Sequence, residues 1–414
     1  MNRVVVTGLG IISNIGKNKK TVLSSLKHGK SGIIFSKEMK KIGMKSHVWG
    51  KINFNFRRKY RKLFKYMNIE TIYAYCAMKD ALKDSSLRKE EYQKNDKVGL
   101  IIGTGFCSTR NNTLNIKNFN FLNKNFFPKK NNNLDIYYLF KVMNSNISSC
   151  LSTLFKIHGI SYSISSACAT SANCIGHAYE LIKSGKQNII FSGGAEALEL
   201  NTAYCFDLIN ALSKKYNDFP KKASRVYDID RDGFVLSEGS GILVLEELNS
   251  ALSRNAHIYG EIISYSSNSN GSSLFFPSEE GIFRCIKKSI FKKPMKIDCI
   301  NVHATSTKVG DIVEINAIKK VFKNSICPLI SSTKSMTGHS LGASGAHEMI
   351  FLLLMLENNF IAPSINIKTL DPRIQNIEII TSYHEIYLKT CMLISLGFGG
   401  VNTVLIIKKF YKKR

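Results

Sequence analysis

No apolar run in this 414-residue chain is long enough to cross a membrane. The longest, Met349 to Leu356, reads as a buried helix. The ten cysteines stand singly with no CxxC pair, so neither a disulfide framework nor a metal centre is indicated. The glycine pairs Gly8/Gly10 and Gly103/Gly105 lack the full spacing and acidic partner of a dinucleotide loop. The N-terminal apolar stretch enters a strand at Val4 and is too short and glycine-broken for a signal peptide, which makes the cytoplasm the expected location. Acidic residues are scarce, 30 against 58 basic ones, for a net charge of +28. The lysines are spread among asparagine and isoleucine, as in Lys124 to Asn133, without an RNA- or DNA-binding motif. That pattern fits solvated faces, part of which could receive an acidic protein partner.

What is present is a repeated order of elements. The first half offers strands at Val4–Thr7, Val98–Gly103, Ser161–Ser165, Asn188–Gly194 and Gly241–Glu246. The second offers Tyr259–Ser264, Asp298–His303, Pro328–Ser332, Met392–Leu396 and Thr403–Ile407. Five strands per half with helices between predict a duplicated α/β unit, residues 1–255 followed by residues 256–414. The helix after Cys168 carries Ala172, Ile175, Tyr179 and Ile182 on one face and stops at Gly185. Its counterpart runs from about Gly342 to Asn358, and in a pseudo-two-fold arrangement the two meet at the centre. Residues 111–133 and 199–240 read as insertions or caps.

Cys168 stands at the mouth of the first of these helices, where unpaired backbone N–H groups are expected to lower its pKa and to hold an oxyanion. His303 and His339 each follow a strand of the second half, at the C-terminal ends where α/β sheets place ligands. His28, His257 and His384 lack that context. Lys334 and Glu314 are either solvated charges or a pair behind the two histidines that would fix their protonation. Phe398 lies between Gly397 and Gly399–Gly400, as a mobile aromatic over the site would. A cysteine with two N–H-donating imidazoles fits acyl capture from a thioester, followed by enolate formation on a second thioester. That chemistry calls for no metal, flavin or nucleotide.

The segments ISSACATSANCIGHA around Cys168, NVHATSTKVGD around His303, STKSMTGHSLGASG around His339 and SLGFGGVN around Phe398 resemble the β-ketoacyl-acyl carrier protein synthases. The resemblance runs from Val4 to Ile407, and GMKSHVWG at Gly43–Gly50 places it nearest synthase I, with synthase II the nearest alternative. It implies a duplicated thiolase-like fold, layered α-β-α-β-α, and condensation of an acyl-enzyme with malonyl groups on an acyl carrier protein by a homodimer without cofactor. It implies that Cys168 accepts the acyl group, with its own N–H and that of Phe398 as oxyanion hole. His303 and His339 would support decarboxylation, and Lys334 and Glu314 would be an ion pair behind them. Thr305 and Thr307 would bind phosphopantetheine, and Phe398 would be the gate. Ala304, Lys308, Leu396 and Val401 replace the family's usual Gly, Pro, Phe and Thr, and none removes a reacting group.

Overall fold

The computed structural model describes residues 1–54, 56–106, 137–290 and 295–411. The expected insertion at 111–133 lies outside them. Ten strands form one sheet: β1 (Val4–Ser13), β2 (Val98–Gly103), β3 (Ser161–Tyr162), β4 (Ile189–Glu196), β5 (Gly239–Glu247), β6 (Gly260–Ser269), β7 (Cys299–Asn301), β8 (Leu329–Ser331), β9 (Thr390–Gly397) and β10 (Val401–Lys408). Their spatial order is β8-β7-β9-β10-β6-β1-β5-β4-β2-β3.

The duplication is explicit in that order. Outward from the middle, the first five strands run β1-β5-β4-β2-β3 and the last five β6-β10-β9-β7-β8. Parallel and antiparallel pairings also correspond. β2 is parallel to β3 and β4, while β7 is parallel to β8 and β9. The two sets are sewn together where Val4, Val5 and Val6 of β1 pair antiparallel with Ile262, Glu261 and Gly260 of β6.

Six helices matter here: α1 (Ile69–Ser85), α2 (Thr170–Lys183), α3 (Leu200–Leu208), α4 (Glu279–Ile290), α5 (Gly310–Val321) and α6 (Ser344–Asn358). Helix α6 is buried throughout from Ser344 to Leu356, as its all-round apolar sequence requires. It packs against α2 in the centre, and Ala346 N donates to Ser171 Oγ at 2.9 Å across the contact. The largest core cluster surrounds this helix pair, joining Ile175 and Ile182 of α2 to Met349, Leu352 and Leu356 of α6. Helix α1 covers β1 and β5 from outside, and α4 covers β6 and β10 with α5 beside it. The succession is helices, half-sheet, central helix pair, half-sheet, helices, which is the expected layering.

Gly10 explains one of the rejected glycine pairs. A Cβ there would lie 1.8 Å from Ala77 O of α1, so the residue serves close strand–helix approach. Among the described residues, no helix is long and apolar enough to cross a membrane.

Candidate active site

The chain leaves β3 and turns sharply into α2. Ala167 adopts φ +50°, a left-handed conformation that costs a non-glycine residue and marks a constrained turn. Thr170 holds it, since its Oγ1 donates to Ala167 O (2.7 Å) and accepts from Ser166 N (2.8 Å). Gly397, at the end of β9, passes so close that a Cβ would sit 2.7 Å from Ser166 O.

Cys168 therefore projects from a fixed elbow. Its thiol receives the backbone N–H groups of Phe398 and of Cys168 itself, both of which draw its pKa down. Burial outweighs them. Desolvation, reinforced by the Glu196 carboxyl and opposed by Lys334, pushes the thiol up to about 12. The expectation of a lowered thiol pKa is thus corrected. The helix proper begins only at Thr170, so Cys168 lies outside its first turn while losing its water.

The two histidines come from the other half. His303 follows β7, and its backbone N–H donates to Glu314 (2.7 Å), as does that of Ala304 (2.7 Å). His339 is clamped by its main chain, which bonds to Val235 O (2.7 Å) and to Ser237 N (2.9 Å). Both imidazoles have pKa values far below the ordinary range, first through desolvation and then through the Lys334 charge. Both are neutral at pH 7.

Lys334 is fully buried, but its partner is not the one expected. Its ammonium bonds to Glu348, on the first turns of α6. Glu314 instead receives the two N–H groups above, and burial pushes its carboxyl up to about 8. The Lys334–Glu314 ion pair is corrected to Lys334–Glu348. Lys334 still acts on Glu314 at longer range, where its charge lowers the pKa.

Thr305 and Thr307 lie on the loop from β7 to α5. Asp311 Oδ1 gathers the N–H groups of Thr305, Ser306 and Thr307 at 3.1, 3.1 and 3.2 Å. Arg231, fully buried, faces Asp311 (3.3 Å) and Asp371 (2.9 Å) and donates to Thr307 O (3.0 Å) and Lys308 O (3.1 Å). Residues 199–240, expected only as an insertion, thus supply the brace for this loop. Both threonines line a cavity of about 540 Å³, shared with Cys168, His303, His339 and Phe398. Phe398 is 41% exposed and lies between Phe206 and Phe275, each 6.1 Å away by ring centroid.

Glu196 and Glu348 escaped the sequence reading. Glu196 ends β4 and accepts from Gly105 N (2.9 Å), Phe106 N (3.1 Å) and Gly342 N (2.8 Å), tying the two halves together beside the thiol. A glutamate ending a buried strand was the available signal. For Glu348 no spacing signal was available, because its contact with Lys334 exists only once α6 folds back over the lysine.

The Beta-ketoacyl synthase N-terminal domain family matches residues 1–251, and the Beta-ketoacyl synthase C-terminal domain family matches residues 259–368. The chain is 54% identical over 411 residues to the 3-oxoacyl-[acyl-carrier-protein] synthase 1 of Buchnera aphidicola subsp. Acyrthosiphon pisum, covering 99% of this chain and 100% of that protein. It is 48% identical over 410 residues to the synthase 1 of Escherichia coli (strain K12), covering 99% of each. A synthase 2 from Staphylococcus aureus (strain COL) is 33% identical over 417 residues, with 99% and 98% covered. Among solved structures, the ketosynthase–acyl-carrier-protein complex AntDE:AntF superposes with a TM-score of 0.87 at 28% identity, covering 99% of this chain and 100% of that one.

Proposed function

The chain belongs to the β-ketoacyl synthase family, and we propose that Cys168, His303 and His339 divide between them the half-reactions of a 3-oxoacyl-[acyl-carrier-protein] synthase of type 1. The reaction is decarboxylative Claisen condensation in fatty-acid elongation. The observation that carries the assignment of roles is the shared cavity. The thiol comes from one half of the chain, and two neutral imidazoles and the Phe398 N–H come from the other.

In the first half-reaction, Cys168 Sγ attacks the thioester carbon of an acyl carrier. The oxygen that becomes negative meets the N–H groups of Cys168 and Phe398. The carrier thiol leaves with the proton that Cys168 gives up. In the second, the malonyl carbonyl lies against His303 and His339, and Thr305 and Thr307 hold the pantetheine arm. Loss of carbon dioxide leaves an enolate whose oxygen the imidazole N–H groups hold. Its carbon attacks the Cys168 thioester, and the sulfur departs and regains a proton. Holding enolate and thioester in one cavity supplies the proximity contribution.

We infer an acyl carrier protein as the partner. The excess of basic residues supports this, and exposed Lys308 stands at the cavity rim. The same reading takes the molecule as a cytoplasmic homodimer, with its halves dividing near residue 255. Strand β3, exposed and last in the sheet, suits a subunit contact. Sedimentation at the monomer mass would remove the dimer.

Intact-mass spectrometry after incubation with acyl carrier tests the central assignment. One acyl group should appear on the wild type and none on Cys168→Ala. Acylation of that variant would end it.

A further inference from the structure

The chemistry so far leaves one deeply buried histidine without a role. His347, on α6, faces Ile12 O of β1 with its Nε2 at 3.1 Å. A carbonyl only accepts, so Nε2 carries the hydrogen. Burial pushes the pKa of this ring down to about 4, so it is neutral and its Nδ1 is an acceptor. Ser340 Oγ, 3.0 Å from that Nδ1, must donate to it. A hydroxyl has one hydrogen, and that of Ser340 is now committed.

Ser344 Oγ stands next in line, 3.2 Å from Ser340 Oγ and 2.9 Å from His339 Nδ1. Ser340 has no hydrogen to offer it, so Ser344 is the donor of that serine pair or of neither. Its own hydrogen has two possible acceptors. The imidazole nitrogen is nearer and more basic than a serine oxygen, so the hydrogen goes to His339 Nδ1. A neutral ring that accepts at Nδ1 carries its hydrogen on Nε2. All four side chains are at least 95% buried, so bulk water does not compete for these bonds.

We propose that Ser344 is a positioning residue whose hydroxyl, with Ser340 and His347 behind it, fixes His339 in the Nε2–H tautomer. The opposite order would put the hydrogen on Nδ1 and leave His339 presenting a lone pair to the cavity. An enolate oxygen needs a donor there. The proposal rests on the reading of His339 as that donor and adds the residue that enforces it.

Imidazole ¹⁵N spectroscopy of the full-length protein tests the tautomer apart from activity, with His339→Gln identifying the resonances. In the wild type, His339 should show a protonated Nε2 and a hydrogen-bonded, unprotonated Nδ1. Ser344→Ala should move the Nδ1 signal toward its unbonded position, and Ser344→Thr should restore it. Malonyl decarboxylation should fall about tenfold in Ser344→Ala, as for other outer partners of reactive imidazoles, and more than acylation of Cys168 does. A wild-type His339 protonated on Nδ1 overturns the proposal. So does an Nδ1 signal indifferent to Ser344→Ala. Because the wild-type spectrum alone reads the tautomer, a poorly folding variant cannot shield it. If the tautomer is as stated but decarboxylation survives His339→Ala, the functional reading fails and the tautomer assignment stands.

Discussion

The rings of His303 and His339 meet edge to face, with centroids 5.2 Å apart. Lys334 lies behind both and, after burial, is what keeps them uncharged. Malonyl decarboxylation should then show no histidine inflection near about pH 6.5, because neither ring titrates at the ordinary histidine value. Protonation would matter only at lower pH, as the direction of both shifts requires. A decarboxylation profile that bends near pH 6.5 would contradict the geometry. His339→Ala should lower the decarboxylation rate by about 10²–10³, the usual cost of one oxyanion donor.

Cys168 should behave as a protonated thiol. With its pKa pushed up to about 12, reaction with iodoacetamide should climb about tenfold per pH unit from about pH 6 to about pH 9. A plateau below pH 8 would show that the thiolate is already formed, and the two N–H donors would then outweigh burial.

Arg231→Met should weaken the loop that carries Thr305 and Thr307. The change leaves Asp311 buried without its cation, while Asp371 keeps Arg373, a loss of about 3–5 kcal/mol for the broken buried Arg231–Asp311 pair. Denaturant unfolding should show the loss, and KM for the carrier substrate should rise. Unfolding identical to the wild type would mean the brace is idle.

Gly397→Ala should disable acylation while leaving the chain folded. The new methyl would press on Ser166 O and on Ala169 N, at 2.7 and 3.3 Å, and displace the elbow that aims Cys168. Acyl transfer followed by mass spectrometry, with circular dichroism as the fold control, checks this. Full acylation would show that the elbow yields without cost.

Much of this molecule was legible in its sequence. The strands were visible as apolar runs, and the two reactive turns stood out as small polar residues at strand ends. Ala172, Ile175, Tyr179 and Ile182 did form the buried face of α2, because helical spacing alone determines that. Two features of the site were not legible. The partner of Lys334 depends on the chain reversing at Gly338 and His339 so that α6 returns over the lysine, and no spacing rule favours Glu348 over Glu314. The state of the Cys168 thiol depends on its burial among Phe206, Phe234 and Leu341 and on the nearby Glu196 carboxyl, which come from separate stretches of chain.

Strand β1 occupies the middle of the sheet, with β5 on one side and β6 on the other. During synthesis, β1 therefore finds neither of its neighbouring strands until Gly239 and then Gly260 have been made. Until then the nascent chain carries an apolar edge with nothing to close it, the kind of segment that aggregates or recruits chaperones. Synthesis of this protein should be slow to yield soluble product under conditions that deplete such helpers, because its sheet is assembled from the centre only after more than half the chain exists.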